Sequence, residues 1–176
     1  MRSLARASAA RLEQIRDPTA SQAESRDSAF ELAYRTIASA SYRLKDYAAA
    51  DSAIQRALTL RTKIPTRTLG ERRDAGTQAV LAGMIAARLG RNDEAHRLID
   101  PVLDMQRKLH ERNDNEDQLQ RVEFATALYA SALAGSHRKA AELREAAALI
   151  DALPPQLRAM ISVRRVRADI AEAQAS

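Results

Sequence analysis

A step of 45 residues constrains this chain more than any other feature. Leu44-Lys45-Asp46-Tyr47-Ala48-Ala49-Ala50, Leu89-Gly90-Arg91-Asn92-Asp93-Glu94-Ala95 and Ala134-Gly135-Ser136-His137-Arg138-Lys139-Ala140 have turn residues at 45, 90 and 135. Each turn follows an Ala-rich amphipathic segment and opens a second one. A hairpin of two such helices cannot bury its apolar face alone, so a fixed step of this size predicts a stack of repeated hairpins.

Composition agrees with an all-helical chain. Of 176 residues only 3% are aromatic, Trp is absent and Phe occurs twice. Ala loses no side-chain entropy in a helix and lets helices approach closely. No segment alternates apolar and polar residues as a half-buried strand would. The absence of Cys excludes disulfides, thiolate catalysis and Cys-based metal sites. No apolar run reaches the length of a membrane span, and the first residues lack a continuous hydrophobic leader. The expectation is a soluble, cytoplasmic protein without a membrane partner. The net charge of +5 is spread among 23 acidic residues, which reads as a solvated mixed surface rather than a nucleic-acid patch.

Along the chain, a first helix is expected from Ser3 to Arg16, ending at Asp17-Pro18. Ser21 with Glu24 has the form of a capping box before a helix bearing Phe30, Ala33, Tyr34, Ile37, Ala38 and Ser41. Its partner carries Ala50, Ala53, Ile54, Ala57 and Leu58. A second box, Thr68 with Glu71, opens a helix through Ala75, Ala79, Gly83 and Ala86. Asn92 caps the next, with the stripe Ala95, Leu98, Ile99, Val102 and Leu109, and Pro101 predicts a kink or short break in it. Asn115 with Gln118 heads a helix bearing Val122, Ala125, Leu128, Tyr129 and Ala132. The last paired helix follows through Ala140, Leu143, Ala147 and Ile150. Pro154-Pro155 starts a terminal helix with Met160, Val163, Val166 and Ile170 on one side, and Arg158 and Arg165 on another. The domain reading is an N-terminal helix over 1–20, three hairpins over 21–65, 66–112 and 113–153, and a capping helix over 154–176.

Over about residues 31–152 this pattern resembles the tetratricopeptide repeat, in which two helices, A and B, carry small residues where they cross. The early helix-B alanine is matched by Ala50, Ala95 and Ala140, and the later one by Ala57 and Ala147, with Val102 between. The glycine before helix B is matched by Gly90 and Gly135, with Lys45 in the first repeat. The small residue midway along helix A is Ala38 and Gly83, while Leu128 departs from it. The aromatic at the start of helix A is Tyr34 and Phe124, with Ala79 between them. A step of 45 exceeds the family's about 34 residues, and Pro65 and Pro154 lie beyond the usual closing proline. The resemblance implies a right-handed α-solenoid whose A helices line a concave, peptide-binding groove.

Carried onto this chain, that face comprises Leu32, Arg35, Ser39, Tyr42 and Arg43, then Thr77, Val80, Met84 and Arg88, then Val122, Ala125, Tyr129 and Leu133. Val80, Met84 and Tyr129 would form an apolar floor. Arg35, Arg43 and Arg88 would select acidic groups through guanidinium forks, and Arg88 repeats the place of Arg43 one step later. The function expected is non-enzymatic: a scaffold binding a peptide or helix of another protein. A regulatory or sensory module and a helical-repeat nucleic-acid binder are the alternatives. For the latter, the basic C-terminal helix with Arg158, Arg164, Arg165 and Arg167 has almost no aromatic residues to stack on bases. Self-association through the ends of the stack stays open. No cofactor or metal is expected: His96, His110 and His137 are not spaced as a helical ligand pair, and Gly-rich phosphate loops and nucleophile motifs are absent.

Overall fold

The computed structural model describes residues 20–64, 68–112 and 117–175. The expected helix over Ser3–Arg16 lies outside them. Among the described residues there are eight helices and no strand: α1 (Ala20–Arg43), α2 (Tyr47–Arg61), α3 (Leu69–Arg88), α4 (Asn92–Arg112), α5 (Gln118–Leu133), α6 (Lys139–Asp151), α7 (Pro155–Arg158) and α8 (Ile161–Gln174). None is long and apolar enough to cross a membrane. The chain divides into two compact units, Met1–Ile85 and Ala86–Ser176, with the boundary near the end of α3.

The three turns share one hydrogen-bonding pattern. Asp46 N–H, Arg91 N–H and Ser136 N–H donate to the carbonyls of Ser41, Ala86 and Ser131, five residues back, at 3.0, 2.9 and 3.3 Å. Lys45, Gly90 and Gly135 N–H donate to Tyr42, Ala87 and Ala132 O, and these three turn residues have φ of 59°, 76° and 89°. That is the Schellman ending, which satisfies the last helix carbonyls by placing one residue in the left-handed region. Glycine adopts that region without a Cβ penalty; Lys45 adopts it against its preference.

In the first unit α1 packs against α2. Phe30, Ala33, Ile37, Ala38 and Ser41 of α1 are buried, as are Ala50, Ala53, Ile54 and Ala57 of α2, each set at the three- and four-residue spacing of one helix face. Asp46 caps α2, its carboxylate accepting from Ala49 N–H at 3.2 Å. The Thr68–Glu71 box forms reciprocally at the start of α3: Thr68 N–H donates to Glu71 Oε2 at 2.6 Å, and Glu71 N–H to Thr68 Oγ1 at 3.2 Å. Arg61 ties the end of α2 to this turn by donating to Glu71 O at 2.7 Å. Helix α1 contains Ser21; the side chain of Ser21, and with it the expected Ser21–Glu24 box, lies outside the described residues.

In the second unit α5 packs against α4 and α6, and α8 closes over α6 and α5. Ile99, Phe124, Leu128, Leu143, Ile150 and Ile170 are its largest fully buried side chains. Leu128 is accommodated where the repeat pattern has a small residue. Arg167 of α8 holds Asp151 of α6 with two hydrogen bonds, at 2.9 and 3.0 Å, and this pairing raises the guanidinium pKa.

Four expectations change here. First, α4 runs unbroken through Pro101. Proline deprives the Arg97 carbonyl of its donor, but Arg97 and Pro101 both lie on the exposed face while Ile99 and Leu103 are buried, so water can serve that carbonyl. Second, Asp117 caps α5, accepting from Leu119 N–H at 3.1 Å; the expected cap, Asn115, lies outside the described residues. Third, the C-terminal segment is two helices. Met160 is extended and half exposed between α7 and α8, so it leaves the stripe of Val163 and Ile170, and Arg158 and Arg165 sit on separate helices. Fourth, Ala140 is exposed, whereas Ala50 and Ala95 are fully buried. Helices α2 and α4 begin two residues after Lys45 and Gly90, but α6 begins four residues after Gly135. His137 and Arg138 lengthen the turn, and Glu142 takes the fourth helical position that Ala50 and Ala95 hold.

Candidate functional site

The A-helix face is best described unit by unit. On α1, Leu32 and Arg43 are exposed and Arg35, Ser39 and Tyr42 half-buried. Arg35 is engaged inside the fold: it lies 3.7 Å from Glu31 and donates to Asp74 Oδ1 at 3.3 Å. Burial foremost raises the Glu31 pKa, with Asp74 adding to the rise while Arg35 and Arg61 oppose it. Tyr42 packs across the turn on Tyr47, ring centroids 5.6 Å apart. On α3, Thr77 is exposed, but Val80 and Met84 are buried.

In the second unit Arg88 is exposed at the last position of α3, and its Nη2 donates to the Tyr129 hydroxyl at 3.2 Å. Tyr129 and Ala125 are buried, Val122 and Leu133 half-buried. Two predicted site residues, Arg88 and Tyr129, are thus brought together. Val80 and Met84 in the first unit and Tyr129 in the second are buried side chains, not an open floor. Removing a large apolar side chain from water is worth about 1.5–3 kcal/mol, which an open floor would forgo, and Arg88 satisfies the buried tyrosine hydroxyl.

Besides the exposed Leu32 and Thr77, this face is accessible at the turns. Leu44 is 67% and Leu89 39% exposed, each beside an exposed arginine, Arg43 and Arg88. Both pairs sit at the C-terminal end of a helix, where a cation also complements the helix dipole. The third turn has Leu133-Ala134 in their place, and Ala134 is buried.

The histidines are dispersed. His96 lies 3.3 Å from Asp100, His110 packs its ring on Phe124 at 5.3 Å, and His137 is exposed on the third turn. No group of three or more His, Asp or Glu is disposed to hold a metal among the described residues. Sequence reasoning missed Glu142, an acid 2% exposed in the core of the second unit. A signal was present: Glu142, Ala146 and Ile150 fall on one helix stripe, so an ionisable side chain stands in an apolar row. No protein family, curated protein or solved structure matches the chain.

Proposed function

We propose that this chain is a non-enzymatic interaction module, a right-handed tetratricopeptide-like stack that holds an acidic peptide or helix of a partner protein. The observation that carries the reading is the repeated Arg-Leu pair. Arg43-Leu44 and Arg88-Leu89 are exposed, 45 residues apart, at the same place in the same Schellman ending. A cation beside an apolar side chain complements an amphipathic acidic segment: the guanidinium fork takes the carboxylate and the leucine takes the neighbouring aliphatic group. Arg35 is engaged by Glu31 and Asp74, and Arg88 shares its guanidinium with the Tyr129 hydroxyl.

Fluorescence anisotropy with amphipathic acidic, neutral and basic probe peptides tests the proposal on the full chain. The acidic probe should bind best. The double variant Arg43→Glu/Arg88→Glu should weaken it by about tenfold or more, as loss of charge-assisted hydrogen bonds implies, with an unchanged helical circular-dichroism signal. Equal binding by wild type and variant would refute the clamp. Tight, steeply salt-dependent capture of single-stranded RNA with no peptide binding would point to counterion release and the nucleic-acid reading.

A further inference from the structure

Helix α4 is apolar on more than the face it buries. Ala95, Ile99 and Leu103 are buried in the second unit. Pro101, Met105 and Leu109 form an exposed row at four-residue steps, with Met105 38% and Leu109 41% exposed. A parallel row one residue back carries charge: Asp100, Asp104, Lys108 and Arg112, again four residues apart and all exposed. An open groove of about 490 Å³ follows the two rows, lined by Pro101, Asp104, Met105, Lys108, Leu109 and Arg112.

The order of the charges limits what can lie there. Asp100 is paired with His96 at 3.3 Å, but Asp104, Lys108 and Arg112 have no ion pair or side-chain hydrogen bond among the described residues. An all-acidic segment would meet Asp100 and Asp104, an all-basic one Lys108 and Arg112, and like charges set side by side oppose association. A helix whose charges run base, base, acid, acid suits every position, and α4 turned end for end is such a helix. About a two-fold axis crossing α4 near Met105, Asp104 faces Lys108 of the second copy and Asp100 faces Arg112, while Met105 meets Met105 and Pro101 meets Leu109. The charged row is centred one residue beyond the apolar row, a rise of about 1.5 Å that long side chains absorb. Rows at four-residue steps are also the ridges that interlock in the commonest class of helix packing. The other two charges bordering this face, Arg97 and Glu111, are exposed near its opposite ends and opposite in sign.

We propose that α4 is a self-association face, through which two copies of the chain pair antiparallel on Pro101, Met105 and Leu109, with Asp104 and Lys108 fixing the register. Each contact is made twice and the pairing closes on itself, so it gives a dimer and no polymer. One helix face is smaller than the roughly 20–30 residues a side of a standard interface, so the dimer is weak and forms at high micromolar concentration. The face shares no residue with the arginine–leucine clamp and does not depend on it.

Sedimentation equilibrium of the full chain is the test. Between about 10 μM and about 1 mM the mean mass should rise from the 19.4 kDa monomer toward twice that value and no further. Asp104→Lys and Lys108→Glu, both at exposed positions, should each weaken association by about tenfold or more, because each sets like charges face to face twice. Their helical circular-dichroism signal should be unchanged. Mixed in equal amounts, the two variants should associate within about threefold of wild type, since each supplies the charge that the other lacks. Arg144→Glu, the same change of charge at an exposed position of α6, should alter nothing. A wild-type chain that stays monomeric to about 1 mM, single variants that associate as wild type does, a mixture no tighter than its components, or a mass that passes the dimer would each overturn the proposal.

Discussion

The hairpins α1–α2 and α5–α6 turn on the same six-residue hydrogen-bonded motif and then bury different positions of the sequence step. After Lys45 the fifth residue, Ala50, is fully buried; after Gly135 the fifth residue, Ala140, is exposed and the seventh, Glu142, is buried. The turn repeats because its determinants are local, a left-handed residue and the carbonyls just before it. The core face does not repeat with it, because two added residues rotate the following helix by about 200° and packing then selects another stripe. A step read from turns therefore need not be a step of the core.

The widest expected difference between these hairpins concerns alanine. Ala50→Leu should cost about 1–3 kcal/mol or more through overpacking, while Ala140→Leu should stay within about 0.5 kcal/mol, both read from urea unfolding midpoints. Equal costs would mean that Ala140 packs as Ala50 does and that the altered register is wrong. The turns supply a smaller effect that ought to be common to all. Gly90→Ala and Gly135→Ala should each cost about 1 kcal/mol, since a Cβ meets nothing within 4 Å at Gly90 and only Asn92 Nδ2 at 3.6 Å at Gly135, leaving backbone strain as the shared cause. Lys45→Gly should gain up to about 1 kcal/mol by relieving the same strain. Unequal costs at Gly90 and Gly135 would break the equivalence of the motifs.

The smallest effect is a pH dependence confined to the first unit. Glu31 is 7% exposed, and its raised pKa means that its stabilising contribution is complete below the ordinary carboxylate value and is lost as pH rises through the folded one. Glu31→Gln should therefore gain on the wild type in melting temperature between about pH 4 and about pH 7. A difference that stays constant across that window would show that Arg35 and Arg61 fully offset the burial.

Much of this was legible beforehand for reasons of range. The Thr68–Glu71 box, the Schellman turns and the exposed Arg43 and Arg88 beside them depend on residues within one or two helical turns. At Pro101 the helix has no break, because proline's cost depends on which face it occupies. The break at Met160 was hidden because neither Ala159 nor Met160 opposes a helix. For the candidate site, the repeated arginines were visible, but the engagement of Arg35 by Asp74 joins positions 39 residues apart. The burial of Val80, Met84 and Tyr129 likewise belongs to long-range packing.

The composition and the local hydrogen-bonding chemistry of the chain suffice for helices and for the helix-ending turns at 45, 90 and 135, because a left-handed residue after an amphipathic run needs no distant partner. Which face each helix buries depends on free energy gained only when helices meet. That is how Glu142, four residues into an ordinary mixed-charge helix, became a buried acid.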